Sequence, residues 1–191
     1  MKKIGIILGV IVLGVILVGS YLSSTYNTFI RSEETVNRQW AQVETQYQRR
    51  YDLIPNLVTS VKGVLNQEQE VFGAIADART RYAGASTPDQ KAAAANDLES
   101  NIGRLLVVVE NYPQLRSSET VQTLMAQLEG TENRINVERQ RYNDDVSTFN
   151  TYFRRIPQRW IGGLFGFTEK HYFEATDVAQ TVPSVDLDLT K

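Results

Sequence analysis

A long uncharged apolar run near the amino terminus constrains the fold of this chain more than any other feature. From Ile4 to Leu22 the sequence contains no Asp, Glu, Lys or Arg. A helix of these ~19 residues is about 29 Å long, which matches the hydrocarbon core of a bilayer. We therefore predict a membrane anchor over residues 1–25. Its membrane-spanning residues include Ile4, Leu8, Val12, Ile16 and Leu22.

The charges on either side of this run suggest an orientation. Lys2 and Lys3 precede it, whereas the far flank mixes arginines with Glu33 and Glu34. Basic residues are retained on the cytoplasmic side, so we expect a cytoplasmic amino terminus, an exported remainder and residence in the cell (inner) membrane. A cleaved signal peptide is the alternative, because small residues at 18–20 offer a processing site. The apolar run is longer than the usual ~7 to 15 residue signal core, which favours the anchor.

Composition limits what the remaining chain can be. The 191 residues leave room for one domain beyond the anchor, and a second core is not expected. A net charge of -2 argues against nucleic-acid binding, which needs a basic face. The absence of cysteine excludes disulfides, thiolate metal ligands and a cysteine nucleophile.

Helical periodicity follows the anchor without a break. Apolar and aromatic residues recur at steps of three, four and seven, which predicts an amphipathic helix that continues the membrane helix. Pro55 lacks an amide donor and disfavours helix at Ile54, so we expect this helix to end or bend there. The predicted buried stripe is Phe29, Val36, Trp40, Val43, Tyr47, Tyr51 and Ile54.

Three more helical segments follow. The second extends from Leu57 to near Gly84, and the third from Asp89 to Tyr112, where Pro113 stops it. Before the third, Ser86 or Thr87 is a candidate cap, with Pro88 at the first helical position and Gln90 completing a loose capping box. The fourth begins at Ser117 or Ser118 and stops at Pro157.

Together these segments predict an all-α fold, in which residues 26–156 form an antiparallel four-helix bundle of long helices. The rival is one long helix merely kinked at Pro55. We favour a hairpin, because a straight helix from Tyr26 to Tyr82 would be about 85 Å long and its partners could not cover it. The residues predicted either to brace this hairpin or to contact a partner are Arg49, Arg50, Asp52, Pro55 and Asn56.

Three long blocks of the sequence resemble the LemA family of bacterial membrane proteins. They are YNTFIRSEETVNRQWAQVETQYQRRYDLIPNLV at 26–58, EQEVFGAIADAR at 68–79 and ENRINVERQRYNDDVSTFNTYFRRIPQRWIGGLFGFTEKHYFEA at 132–175. The resemblance implies one amino-terminal membrane helix and an antiparallel helical bundle. Relatives at bacterial magnetosome membranes suggest a membrane-organising role. No enzymatic activity comes with the family, so no catalytic residue is carried over.

The search for chemistry gives no site. His171 is the only histidine, and a di-iron bundle would need two Glu-x-x-His pairs. The acidic pairs at 33–34 and at 68 and 70 do not converge on one helix face. No phosphate loop, nucleophile elbow or histidine triad is present. We predict no catalytic residue, no cofactor and no metal.

Residues 157–174 have an unusual composition, being apolar, aromatic and rich in glycine. With four helices in alternating directions, this segment returns to the level of the membrane. It can contact lipid at the interface, where aromatics flanked by arginine are favoured, or it can fold back and plug the bundle. The predicted lipid or partner contacts are Trp160, Ile161, Leu164, Phe165 and Phe167.

The tail at 175–191 has no apolar period and is expected to be flexible or to form a strap across the bundle. The leading functional hypothesis is a non-enzymatic, membrane-anchored scaffold or adaptor that self-associates as a homo-oligomer or binds a membrane protein. The alternative is a membrane-surface or lipid-remodelling protein that uses residues 160–167. The partners expected are therefore membrane lipid and protein, and not nucleic acid.

Overall fold

The structure, a computed structural model, describes residues 2–64 and 68–173, and in these ranges it is helical without strands. The prediction of an all-α fold with an anchor continuous with the bundle is confirmed. The predicted tail at 175–191 lies outside the described residues. The helices are α1 (Lys2–Lys62), α2 (Gln69–Gly84), α3 (Pro88–Glu110), α4 (Pro113–Arg116), α5 (Glu119–Arg154) and α6 (Gln158–Leu164).

Helix α1 carries the apolar run directly into the bundle. Its side chains from Ile4 to Val18 are exposed, and α1 is the one helix among the described residues that is long and apolar enough to cross a membrane. We call the end of the bundle next to this run the base, and the opposite end the distal end.

The expectation of a hairpin at Pro55 is wrong. Helix α1 passes through Pro55 and ends at Lys62, so the first reversal of the chain lies after Lys62 and not at Pro55. Proline removes one amide donor, but Ile54, Leu57 and Val61 are all buried on the same stripe. Tertiary packing of this stripe outweighs the local cost of the proline. Residues 57–62, predicted to open the second helix, therefore belong to α1.

Side-chain contacts establish the directions of the four long helices. Gln39 Nε2 on α1 donates to Glu138 Oε2 on α5 at 2.6 Å, and the same two helices meet again nearer the distal end through Arg50 and Glu132. Residue numbers rise on α1 as they fall on α5, so these helices are antiparallel. Lys91 on α3 pairs with Glu44 on α1, and Glu99 on α3 pairs with Arg50 on α1. Residue numbers rise together on the two helices, so α3 is parallel to α1.

Helices α2 and α3 form a short hairpin whose connection follows the predicted capping. The Thr87 hydroxyl accepts from the Gln90 amide at 3.2 Å, and the Gln90 side chain accepts from the Thr87 amide at 3.4 Å. Pro88 occupies the first helical position. The hairpin tip reaches α1 at Tyr47, whose ring lies 6.1 Å from that of Tyr82. The hairpin therefore covers only the distal part of α1.

The fourth predicted helix begins where it was expected and ends earlier. Pro113 stops the third helix as expected, yet it also begins the short helix α4, because proline is favoured at a first helical position. Helix α5 then starts at Glu119, after Ser118, and ends at Arg154, before the predicted stop at Pro157.

Two clusters of buried side chains fill the bundle. The distal core is aliphatic and draws on α1, α2, α3, α4 and α5. The basal core is rich in aromatic residues and lies mainly between α1 and α5. The distal core contains Ile54, Leu57, Val61, Ile75, Ala78, Leu98, Ile102, Leu105, Val109, Leu115, Val121, Leu124 and Leu128. The basal core contains Phe29, Val36, Val43, Tyr47, Tyr82, Ala94, Ala95, Ile135, Tyr142, Val146, Phe149 and Phe167.

Candidate membrane-facing site

Helix α6 lies across the base of the bundle, against α1 and the end of α5. Gly162 permits this close approach, since a Cβ atom there would lie 2.9 Å from Phe29 Cζ and 3.0 Å from Phe153 Cε2. Glycine disfavours helix, and this segment contains Gly162, Gly163 and Gly166. The structure shows a helix, because glycine at this point lets α6 rest directly on aromatic rings.

The predicted lipid-contact residues separate into two faces of this segment. Ile161 and Phe167 are buried, with 8% exposure each, and Phe167 stacks on Phe29 with 4.8 Å between the ring centroids. Trp160 and Leu164 point outward, with 69% and 79% exposure. The segment thus closes the base of the bundle with one face and leaves an apolar face uncovered with the other.

The uncovered face continues onto α1. Phe165, about half exposed, packs against Tyr26 with 5.0 Å between the ring centroids, and both border a cleft with Leu22 and Asn27. Gln158 Nε2 on α6 donates to the Tyr21 hydroxyl at 3.5 Å. We call this region the basal apolar surface. Its exposed members are Tyr21, Tyr26, Ile30, Ile156, Trp160, Leu164 and Phe165.

After α6 the chain forms an extended strap, residues 168–173, that lies along α5. Asn150 Nδ2 donates to the Lys170 carbonyl at 2.9 Å, and the Lys170 amide donates to Asn150 Oδ1 at 2.8 Å. Asn143 makes the same pair of bonds with Phe173, at 3.0 and 2.8 Å. Asn143 and Asn150 are seven helical residues apart, and Lys170 and Phe173 are three residues apart on the extended strap. Both separations are about 10 Å, so each asparagine side chain faces one residue of the strap.

Side chains also secure the strap. Phe173 lies 5.5 Å from Trp40 and 5.0 Å from Tyr142, measured between ring centroids, and Lys170 pairs with Glu33 on α1. The strap therefore covers α1 and α5 below the reach of the α2–α3 hairpin.

An ion pair at the start of the strap ties it to the end of α5. Arg154 donates to both carboxylate oxygens of Glu169, at 3.1 and 2.5 Å. This hydrogen bonding and charge hold the pKa of the Glu169 carboxyl below its usual value.

The residues predicted to brace a hairpin all lie within α1, before its end at Lys62. Arg50 is buried, and its guanidinium lies 2.5 Å from Glu132 and 3.5 Å from Glu99, so it joins α1, α3 and α5. Burial is the largest cause of a raised pKa for the Glu99 carboxyl, followed by the neighbouring Glu132 charge. Arg49, Asp52, Pro55 and Asn56 do not join it: Arg49, Asp52 and Asn56 are exposed on the outer face of α1, and Pro55 is half-buried.

The described part of the chain was predicted to hold no metal site, and its acidic and histidine side chains are dispersed. No group of three acidic or histidine side chains that could hold a metal ion occurs within residues 2–64 and 68–173. His171 is exposed, and its carbonyl accepts a hydrogen bond from the Tyr142 hydroxyl at 3.3 Å.

Two features of this region escaped the sequence reasoning although the sequence contains their signal. Arg50 continues the stripe of Val43, Tyr47, Ile54 and Leu57 at helical steps of four and three, which marks it as a core position. The strap had a weaker signal, namely two asparagines seven residues apart on a helix.

Comparison with known proteins gives one family and several relatives that are similar to this chain. The model of the LemA family matches residues 39–187. Two proteins of Paramagnetospirillum magneticum, named Magnetosome protein MamQ 1 and MamQ 2, are each 28% identical over 182 residues, which covers 82% of this chain and 67% of theirs. Magnetosome protein MamQ of Magnetospirillum gryphiswaldense is 24% identical with the same coverage. With the exposed apolar helix, these matches indicate a membrane-associated protein.

Proposed function

The chain belongs to the LemA family, and on that premise we propose that it is a non-enzymatic, membrane-anchored helical scaffold or adaptor, which self-associates or binds membrane protein partners. The observation that carries this proposal is the continuity of α1 from Lys2 to Lys62. The part of α1 beyond the apolar run, residues 23–62, is about 60 Å long. A single rigid helix therefore ties the position of the distal end to the anchor.

The outer face of α1 is the proposed contact surface of the scaffold. Most of its side chains are exposed, although Glu44 pairs with Lys91 on α3 and Leu53 packs against the distal core. Charged, amide and apolar groups are mixed on it, which suits a reversible protein contact. It includes three of the residues that the sequence singled out. The surface comprises Ala41, Glu44, Thr45, Gln48, Arg49, Asp52, Leu53 and Asn56.

The proposed location is the inner membrane, crossed once, with Lys2 and Lys3 on the cytoplasmic side and the bundle exported. The names of the relatives associate them with magnetosomes. For this chain they support a role in organising proteins at a membrane.

Photo-crosslinking in native membranes tests the scaffold. A photoreactive amino acid replaces Arg49 on the proposed surface in the full-length protein, and a matched variant carries it at Asp77, which is exposed on α2. We expect species larger than the monomer from position 49 and few from position 77. An exclusively monomeric protein at both positions, with no membrane protein recovered by affinity purification, would contradict the proposal.

A second function is favoured by the exposed side of α6. Trp160 and Leu164 are uncovered at the end of the bundle where α1 enters its apolar run. Tryptophan and other aromatics are favoured at membrane interfaces. We propose that this surface contacts the bilayer and acts in membrane binding or lipid remodelling.

Quenching by lipid separates the second function from the first. The protein has two tryptophans, so Trp40→Phe leaves Trp160 as the only one. In vesicles with brominated acyl chains, we expect the fluorescence of Trp160 to be quenched. The reciprocal variant Trp160→Phe reports Trp40, inside the bundle, and serves as the control. Equal fluorescence of Trp160 with and without bromine would rule out lipid contact.

A further inference from the structure

We infer that the base of the bundle binds the headgroups of anionic phospholipids, through Arg155 and Arg159 beside the exposed apolar face of α6. The inference rests on the second proposed function, contact of this face with lipid, and names the lipid class that the contact selects.

A turn between α5 and α6 brings the two arginines next to the apolar residues. Arg155 follows the end of α5, and the Arg159 amide in α6 donates to its carbonyl at 2.8 Å. Ile156 and Trp160, their neighbours in sequence, are both 69% exposed. This region therefore presents basic side chains beside an apolar face, a combination that is favoured at a membrane interface.

The charges at the base differ from those of the whole chain. Residues 21–34 and 149–173 together contain five Arg or Lys and three Glu, although the formal net charge of the chain is -2. Two of the three carboxylates are already paired, Glu33 with Lys170 and Glu169 with Arg154. The unpaired positive charge is thus concentrated next to the membrane-spanning helix.

Arg155 and Arg159 are available to a ligand. Both side chains are exposed, and neither forms an ion pair within the described residues. The charge of Arg159 contributes to the lowered pKa of the Glu169 carboxyl, but that carboxylate is held by the two hydrogen bonds from Arg154. A guanidinium matches the geometry of a phosphate with two parallel hydrogen bonds.

The position of the arginines selects lipid as the occupant. The basal apolar surface is continuous with the apolar run of α1, so a bilayer that contains this run brings its headgroups to the level of α6. There Trp160 and Leu164 can enter the interface while the arginines remain among the phosphates. An anionic membrane surface attracts basic residues that lie within a Debye length of it.

Competition between two lipids tests the inference. The full-length Trp40→Phe protein is placed in vesicles of equal parts phosphatidylglycerol and phosphatidylcholine, with bromine on the acyl chains of only one lipid at a time. We expect Trp160 to be quenched roughly two- to five-fold more by brominated phosphatidylglycerol, with a preference that falls as salt rises. The double variant Arg155→Gln, Arg159→Gln is expected to be quenched equally by both. Arg104→Gln, Arg116→Gln alters two exposed arginines outside the base and should keep the preference.

The outcomes separate the inference from the function on which it rests. Equal quenching of the parent protein by both lipids overturns the headgroup preference while the lipid contact stands. Absence of quenching by either lipid overturns both. A preference that persists in the double variant overturns the assignment to Arg155 and Arg159. Circular dichroism of each variant verifies that the helical content is unchanged.

Discussion

The distal and basal halves of the bundle have cores of different composition. In the distal half, four long helices surround the core, and its buried side chains are all aliphatic. In the basal half the α2–α3 hairpin contributes only Tyr82, Ala94 and Ala95, and the core lies mainly between α1 and α5. Half of the buried residues there are aromatic, and α6 and the strap supply the missing cover.

The number of helices that surround the core can thus change along the length of a bundle. Aliphatic side chains fill a core when several helices interdigitate, whereas large rings are needed where fewer helices approach. Phe29 illustrates the second case, since its ring lies near those of Phe149, Tyr152, Phe153 and Phe167. We therefore expect the basal half to depend on a few rings, and the distal half on many smaller contacts.

Truncating Phe29 should have the largest effect. This side chain is fully buried, so Phe29→Ala is expected to lower the free energy of unfolding by about 4 kcal/mol. Leu105→Ala, at an equally buried distal position, is expected to cost about 3 kcal/mol. Denaturant titration of the protein in detergent measures both. Hydrogen exchange should rise in α6 and the strap for the first variant and in α2 and α3 for the second; identical exchange patterns would show that the two halves unfold as one unit.

Much of this architecture could be predicted from sequence, because helical periodicity reports which residues share a face. The anchor, the continuity of α1 and the capping of α3 all follow from local patterns. The turn after Lys62 did not, because the cost of Pro55 is local while Leu57 and Val61 are buried in a core that several other helices complete. The fold was therefore predictable except where tertiary packing outweighs a local signal.

Removing Arg50 should have the next largest effect, and it tests the junction between the halves. Without its guanidinium, Arg50→Gln leaves the carboxylates of Glu132 and Glu99 facing each other without their main countercharge. The expected loss is about 3 kcal/mol at neutral pH. Arg49→Gln, its exposed neighbour, should change stability by less than about 0.5 kcal/mol. Thermal or denaturant unfolding measures both; equal effects would mean that the buried bridge contributes nothing beyond surface charge.

The basal site was only partly predictable. The apolar and aromatic character of residues 160–167 indicated that something must cover them. Four predicted helices in alternating directions were expected to return them to the level of the membrane. Which residues turn inward depends on the approach of α6 to Phe29 and Phe153, which no local pattern encodes. The strap depends on Asn143 and Asn150, about twenty to thirty residues away, and on bonds to backbone rather than to particular side chains.

Two adjacent glycines of α6 allow the close contact between α6 and the aromatic rings at the base to be tested. Gly162→Ala forces a methyl group into Phe29 and Phe153 and should cost about 2 kcal/mol. Gly163→Ala meets no atom within 4 Å and should stabilise the helix by about 0.5 kcal/mol. Unfolding free energies give the comparison directly. A neutral Gly162→Ala would mean that α6 does not rest on these rings.

Removing the asparagine side chains that hydrogen-bond to the strap should destabilise the protein, and more so where the asparagine is more deeply buried. Asn150 is 1% exposed, whereas Asn143 is only half-buried, and each makes two hydrogen bonds to the strap. We expect Asn150→Ala to cost about 2 kcal/mol and Asn143→Ala about 1 kcal/mol. Hydrogen exchange of residues 168–173 should rise in both variants, while exchange in α2 and α3 stays unchanged. Unaltered protection of the strap would show that its side chains alone hold it.

The smallest effect concerns pH and the charge at the junction. The folded pKa of the Glu99 carboxyl is raised, mainly by burial, above that of an unfolded chain. Its contribution to stability is therefore fully present below the unfolded pKa of about 4.3 and is lost as the pH rises through the folded value. Glu99→Gln removes this loss, so the variant should gain stability relative to the parent between pH 4 and pH 7. Because the carboxylate is 38% exposed, we expect a gain of less than about 1 kcal/mol. Unfolding at both pH values measures it; a variant that instead loses stability as the pH rises would show that attraction to Arg50 outweighs the burial of Glu99.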